Sequence, residues 1–395
     1  MSSPLDHKPV ILCFIQHYLP GYKFGGPIIT ISNMVNRLGD EYIFKIITLD
    51  RDFHENKPYP HVTRSTWTKV GKADVLYVSP DQISLASLRR LLANTHHDLL
   101  YFNSFFDPIF TIRTLLLRRL GLLREHPAIL APRGEFSQGA LAIKRYKKKP
   151  YLIVAKKLGL YKNIVWQASS RYEANDIRTA MGNKAPKIEI APNLLSIPQG
   201  NTQPIWPLKE QNKLKSVFLS RLSPKKNLDY ALMILQKVRA RLSFTIYGTV
   251  EDAGYWQKCR AIIATLPPNI TVDYKGPLAH EKVDESLRTY DLFLFPTRGE
   301  NYGHVILEAL SAGLPILISD QTPWRGLEKK GVGWDFPLTS PDLFTRKIED
   351  VAAMDSHTHC EMRRCAWEYA QGILRDDESV EANRHLFRSV TSGYL

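Results

Sequence analysis

Residues Asp291 to Asp320 read DLFLFPTRGENYGHVILEALSAGLPILISD, and the fold follows from this stretch. After Asp291 comes a short apolar, β-prone run that Pro296 ends. From Gly303 to Ala312 the apolar residues recur at helical period, with Val305, Ile306, Ala309 and Leu310 on one side. Leu314 to Ser319 supplies a second buried strand. Strand, loop, helix and strand in that order make the right-handed crossover of a parallel sheet. Two carboxylates ride on it: Glu300 in the loop and Glu308 past the first helical turn. They bracket the backbone amides around Tyr302, Gly303 and His304. A helix start beyond the carboxyl end of a strand suits a phosphate or polyhydroxyl ligand, because its amides donate and its dipole is positive there. Carboxylates suit sugar or ribose hydroxyls, from which they accept.

The same alternation runs outward in both directions. Upstream, Leu214 to Ser220 reads as a strand, followed by RLSPKKNLDYALMIL, in which a helix begins at Lys226 or Asn227. Arg221 at the strand's end and Lys226 can converge above the sheet, where paired cations stabilise a departing diphosphate. Phe244 to Gly248 and Ile270 to Tyr274 are further strands. In the first half, Val10 to Gln16, Tyr42 to Leu49, Ala73 to Ser79, Asp98 to Asn103, Ala128 to Ala131 and Asn163 to Ala168 are short buried strands. Helical segments at Ile28 to Leu38, Ile83 to Leu92, Ile109 to Leu120 and Arg171 to Met181 separate them. Such alternation implies a doubly wound parallel sheet with ligands at the strands' carboxyl ends.

A chain of 395 residues exceeds what one core usually supports, so two domains are expected. The stretch from Gly200 to Gln211 is polar, carries two prolines and lacks periodicity, so it reads as the linker. The expected division is 1–200, 201–375 and a final segment, 376–395. Cys13, Cys259, Cys360 and Cys365 are scattered without a CxxC pair, which argues against a disulfide framework or a zinc site. His357, His359 and Cys360 fall in a polar stretch that reads as a solvated helix start. Asp50-Arg51-Asp52 has the spacing of a metal-holding acid pair, but two acids at a strand end are more often loop caps, and no metal is expected.

The N-terminal apolar run, Val10 to Ile15, is too short and wrongly flanked for a signal peptide, and no run approaches the roughly 20 residues of a spanning helix. The expectation is a cytoplasmic protein. Net charge is +14. Much of it is concentrated in Arg133, Lys144, Arg145, Lys147, Lys148, Lys149, Lys156, Lys157 and Lys162, set against one acid, Glu135, and interleaved with Tyr146, Tyr151, Ile153, Val154 and Leu158. Residues 144–162 read either as a contact with an anionic membrane surface or as a solvated helix face. The run matches no nucleic-acid module, so nucleic acid is not expected as a partner.

With its glutamates, Gly303, the Glu308-Ala309 pair, Gly313 and Pro315 in place, PTRGENYGHVILEALSAGLPILISD is similar to the donor-site signature of retaining GT-B glycosyltransferases of the large fourth family. The resemblance covers most of the C-terminal half well and the N-terminal half thinly. It implies two facing Rossmann-like α/β domains around a deep interdomain cleft, and transfer of a hexosyl unit from a UDP- or GDP-sugar to a glycan or lipid-linked hydroxyl, with retention and without a metal. The nucleoside-diphosphate sugar is then a co-substrate, and no cofactor is needed. Arg221 and Lys226 would clamp the diphosphate, although Asn227 replaces the family's usual glycine. Glu300 would take the sugar hydroxyls, Glu308 the ribose, and the amides of Tyr302, Gly303 and His304 the phosphate-proximal region. Leu278 would offer backbone groups to the base, Gly248 would allow close approach, and Gly26 in HYLPGYKFGGP would face the donor phosphates.

On the acceptor side the candidates are Asn103, Asp107, Arg133 and Glu135. Many family members carry a histidine near the position of Asn103, so the group assisting the acceptor hydroxyl is left among Asn103, Asp107 and Glu135, while Arg133 suits an acceptor phosphate or a neighbouring carboxylate. The resemblance also gives a Pro192-Asn193 pair at the interdomain crossing and a last helix that returns to the N-terminal domain. The basic segment 144–162 adds the expectation of a cytoplasmic protein peripheral to the inner face of the membrane. A sugar-nucleotide epimerase of the same fold, a non-catalytic scaffold and a basic binding protein are the alternatives.

Overall fold

The first strand, β1 (Val10–Phe14), is buried along its whole length and divides its side chains between two cores: Ile11 and Cys13 on one face, Leu12 and Phe14 on the other. This is the period-2 alternation of a strand covered on both sides. The computed structural model describes residues 8–142, 145–182, 187–195, 203–375 and 377–391. Two units are present, one made of residues 1–197 and 376–395, the other of residues 198–375.

In the first unit β1 is followed by α1 (Gly26–Leu38), β2 (Ile43–Leu49), β3 (Thr68–Val70), β4 (Ala73–Val78), α2 (Leu85–Asn94), β5 (Leu99–Asn103), α3 (Thr111–Arg119), β6 (Ala128–Ala131), α4 (Gln138–Ala142), α5 (Arg145–Lys157), β7 (Val165–Ala168), α6 (Arg171–Met181) and β8 (Ile188–Ile190). The strand order is β3-β4-β2-β1-β5-β6-β7-β8. All pairings are parallel except β3 with β4, an antiparallel edge that the sequence reading did not anticipate. Its three residues are too few and too exposed to leave an apolar pattern.

The second unit runs through β9 (Lys213–Leu219), α7 (Leu228–Leu235), β10 (Arg241–Tyr247), α8 (Ala253–Ile263), β11 (Ile270–Gly276), α9 (Val283–Leu287), β12 (Leu292–Phe295), α10 (His304–Ser311), β13 (Ile316–Ser319), β14 (Gly333–Phe336), α11 (Pro341–Ala353) and α12 (Ser356–Leu374). Its six strands are all parallel, ordered β11-β10-β9-β12-β13-β14. The order reverses between β9 and β12, the switch point at which doubly wound sheets bind ligands. Arg221 and Lys226 follow β9, and Glu300 follows β12, so the predicted site residues flank that point.

The last helix, α13 (Glu378–Thr391), belongs to the first unit. Phe387 meets Tyr42 edge to face at 5.2 Å, and Arg384 grips Glu41 through Nε at 2.9 Å and Nη2 at 2.7 Å.

Three expectations need correction. Residues 203–211 of the expected linker belong to the second unit. Trp206 is buried and donates Nε1 to the Ala312 carbonyl at 2.8 Å, while Lys209 Nζ caps the Ala352 carbonyl at 2.7 Å. Residues 200–202 lie outside the described residues. His359 is not at a solvated terminus: it is buried, with Nε2 2.9 Å from the Asp291 carbonyl oxygen, and burial holds its pKa below the ordinary value. On α10 the buried set is Ile306, Leu307, Ala309 and Leu310, with Val305 only half-buried.

Candidate active site

Loop 220–227 leaves the end of β9 and carries the two predicted cations. Lys226 reaches the loop after β12 and forms an ion pair with Glu300; the two side chains are only 13% and 11% exposed. The ammonium also lies 5.7 Å from the Phe295 ring centre, so an aromatic face and a carboxylate share its charge. Glu300 is held on the backbone side as well, its amide donating to the Gln321 carbonyl at 3.1 Å.

Asn227 shows why Lys226 is placed there without the usual glycine. Its φ of 62° and ψ of 37° lie in the left-handed region, which asparagine tolerates better than other side-chain-bearing residues. Its side chain is then used: Nδ2 donates to the Pro296 carbonyl at 2.8 Å, and Oδ1 accepts from Arg298 Nε at 2.9 Å. The amide thus ties the β9 loop to the β12 loop. A glycine could adopt the turn but could not make these bonds.

Arg221 pairs with a further carboxylate. Its Nη1 is 3.3 Å from Glu251 Oε1, a carboxylate that the sequence reading missed. The only signal was its place three residues beyond Gly248. Gly248 itself has a φ of 145°, and a Cβ there would come within 1.7 Å of the Ser220 carbonyl oxygen. The β9 and β10 exits can run side by side only without that atom. Leu278 is half-buried in the loop after β11.

At the start of α10, Gly303 caps the helix with φ 81° and ψ 57°. Trp324, buried, donates Nε1 to the Tyr302 carbonyl at 2.6 Å and meets the Tyr302 ring edge to face at 5.7 Å. It anchors the residue that precedes the helix and went unnoticed in the sequence, where a single Trp after β13 carries no pattern. The Tyr302 and His304 rings lie 5.0 Å apart. Glu308 is half-buried in the second turn of α10, three residues after Val305. Lys226, Glu300, Tyr302 and the α10 start are therefore brought together around the β9 and β12 exits. They can offer cationic charge, a hydroxyl-accepting carboxylate and helix-start amides to one ligand.

In the first unit the candidates separate by task. Gly26 is the first residue of α1, while Gly25 before it takes the left-handed φ of 70°. Asp50 is paired with Arg51 at 2.8 Å and Arg64 at 3.3 Å. Asp52 accepts from the amides of Tyr22, Lys23 and Phe53. Both act as loop supports. Asp107 is buried, its Oδ1 accepting from Gln16 Nε2 at 2.6 Å and from the Ile109 amide at 2.9 Å, and burial raises its pKa. It caps the approach to α3.

Glu135, after β6, accepts from Ser104 Oγ and from the Phe105 amide, both at 2.6 Å. Burial pushes its carboxyl up to about 7, against the opposing effect of those hydrogen bonds. Ser104 has a φ of 107°, a conformation that costs a residue other than glycine energy. Asn103 donates Nδ2 to the Phe14 carbonyl at 3.2 Å, and its Oδ1 accepts from Arg133 Nε at 3.2 Å and Nη2 at 3.1 Å.

Residues 203–371 match the family model described as glycosyl transferases group 1. That part of the chain is similar to the group 1 glycosyltransferases. Over 205 residues, 48% of its length, the chain is 28% identical to the UDP-N-acetylglucosamine–peptide N-acetylglucosaminyltransferase GtfA subunit of Streptococcus agalactiae. That match spans only 38% of the relative. Sucrose-phosphate synthase from Thermosynechococcus elongatus superposes with a TM-score of 0.70 at 14% identity, covering 98% of this chain and 100% of that one. Anabaena HepE in complex with UDP and glucose superposes with a TM-score of 0.67 at 17% identity, covering 97% and 100%. These likenesses give the fold, GT-B, in which the chain has one parallel sheet in its second unit and one nearly all-parallel sheet in its first.

Proposed function

We propose that this chain is a glycosyltransferase that moves a hexosyl unit from a nucleoside-diphosphate sugar, with UDP as the nucleotide, to a hydroxyl of a glycan or lipid-linked acceptor, retaining the anomeric configuration and using no metal. The observation that carries this reading is the Lys226–Glu300 pair beside the α10 start at the sheet's switch point. UDP is favoured because the curated relative is named for a UDP-sugar donor and the HepE structure contains UDP.

In the reaction, an acceptor oxygen forms a bond to the anomeric carbon on the face from which the diphosphate leaves. The bond from that carbon to the diphosphate oxygen breaks, and the acceptor proton passes to the departing diphosphate. Lys226 and Arg221 stabilise the charge that grows on the diphosphate. A diphosphate that draws Lys226 away releases Glu300 to accept sugar hydroxyls. Glu308 holds the ribose, and Tyr302, Gly303 and His304 present the helix-start amides. Leu278 meets the base.

The acceptor is assigned to the first unit, through Asn103, Arg133 and Glu135. A peripheral position on an anionic membrane is part of the proposal. What supports it is α5, whose outward side carries Tyr146, Ile153 and Val154 at 73%, 56% and 52% exposure, flanked by the exposed Lys147, Lys149 and Lys157. No helix among the described residues is long and apolar enough to cross a membrane. Lys144 lies outside the described residues.

A thermal-shift panel of nucleoside diphosphates and their sugars tests the donor reading. A base-specific rise in melting temperature with UDP supports it, and no response to any nucleotide refutes it.

A further inference from the structure

Arg133 leaves β6 in a left-handed turn, φ 56°, with Gly134 after it at 75°. Its half-buried guanidinium is gripped by three neutral oxygens. Nε and Nη2 both donate to Asn103 Oδ1, Nη2 also donates to Tyr101 Oη at 2.7 Å, and Nη1 donates to Asn193 Oδ1. These partners come from β5 and from the segment after β8, so the group is fixed from two sides.

Glu135 in the turn and Glu173 on α6, which meets the turn, are both committed elsewhere. Glu135 receives Ser104 Oγ and the amides of Phe105 and Phe106. Glu173 is buried and receives the Gly134 amide, the Ser169 amide at 2.8 Å and Ser169 Oγ at 2.6 Å. A guanidinium has five N–H groups. Four are used by Asn103, Tyr101 and Asn193 among the described contacts, and one remains on Nη1. The arrangement holds a cation rigidly, leaves its charge without a direct ion pair among the described residues, and keeps one donor to spare. Neutral acceptors orient an arginine without neutralising it, whereas a structural arginine of similar burial is usually paired with a carboxylate.

We propose that Arg133, positioned by Asn103, Tyr101 and Asn193, is an oxyanion subsite of the first unit, and that the acceptor of this glycosyltransferase carries a phosphate or carboxylate near the receiving hydroxyl. The second clause rests on the glycosyl-transfer reading above; the first does not. The site binds one oxygen of the anion through Nη1 and the rest through charge, so it selects for charge more strongly than for shape.

The test is binding of inorganic phosphate and of glucuronate to the full chain at constant ionic strength, by calorimetry and melting temperature, with UDP as a separate ligand. Wild type is expected to bind at least one of the two anions, and the stronger one identifies whether the acceptor's anion is phosphate or carboxylate. Arg133→Met is expected to lose at least tenfold in that affinity while keeping its response to UDP. Asn193→Asp places a carboxylate against Nη1 and is expected to suppress anion binding in a protein that keeps its melting temperature. Retention of wild-type anion affinity in both variants, or no anion binding by wild type, overturns the proposal. Arg133-dependent anion binding without any UDP response keeps the subsite and removes the glycosyl-transfer reading instead.

Discussion

Lys226 and Glu300, 74 residues apart in the chain, meet as an ion pair with both side chains largely withdrawn from water. One comes from the exit of β9 and the other from the exit of β12, the neighbouring strands between which the sheet order reverses. A pair so placed balances two charges that a diphosphate sugar would separate, the cation going to phosphate and the carboxylate to hydroxyls.

Removing one partner should therefore cost stability as well as activity. Lys226→Ala leaves Glu300 without its counter-charge, and the expected loss is up to about 3 kcal/mol, since breaking a mostly buried pair strands the remaining ion. The double variant Lys226→Ala with Glu300→Gln should recover most of the melting temperature and none of the turnover. Urea unfolding and a sugar-transfer assay on the two single variants and the double variant check this. A double variant no more stable than Lys226→Ala would contradict it.

Gly248→Ala is expected to disrupt the donor side out of proportion to its size. The added methyl would sit 1.7 Å from the Ser220 carbonyl oxygen, so the β9 exit that presents Arg221 must move. Affinity for UDP should fall at least tenfold, while Gly254→Ala, whose nearest neighbour is 3.5 Å away at the end of the Asp252 side chain, should leave it unchanged. Calorimetric titration of UDP distinguishes the two.

The crossover from Asp291 to Asp320 was legible because fully buried strands and an amphipathic helix write their periods directly into the sequence. Arg221, Lys226, Glu300 and Glu308 could be singled out because motif spacing puts them next to those elements. What escaped was decided by contacts distant in sequence. Glu251 pairs with Arg221 across the β9 and β10 exits, Trp324 anchors Tyr302 from beyond β13, and Trp206 buries itself in a stretch whose prolines read as linker. Asp107 looked equivalent to Glu135 in the sequence, and only their partners separate a helix cap from a half-buried carboxyl held by Ser104.

The carboxyl of Glu135 gives a pH signature. Its folded value of about 7 lies above its ordinary 4.5, so between these limits the folded protein holds a proton that the unfolded chain has released. The contribution of this group to stability is complete below pH 4.5 and is lost as pH rises through about 7. Glu135→Gln cannot titrate and should flatten that part of the curve. Melting temperatures of both proteins from pH 5 to 8 provide the comparison, with the difference between them changing most between pH 5 and 7. Parallel curves would show that Glu135 ionises in the folded state as it does in the unfolded one.

The outward side of α5 makes the membrane reading quantitative. Lys147, Lys149 and Lys157 flank Tyr146, Ile153 and Val154, all of them exposed, so charge and apolar surface face the same way. A cation close to an anionic leaflet contributes about 1 kcal/mol, roughly a factor of five in partitioning. Reversing the three lysines to Glu should therefore abolish sedimentation with vesicles containing phosphatidylglycerol, while Ile153→Ser with Val154→Ser should weaken it and make the remainder more sensitive to salt, since only the electrostatic part persists. Neither variant touches Lys226, Glu300 or Arg133, so transfer to a soluble acceptor should continue at the wild-type rate. Equal binding of wild type to vesicles of phosphatidylcholine alone would mean that the lysines are a solvated face and that the apolar strip is not a lipid-charge sensor.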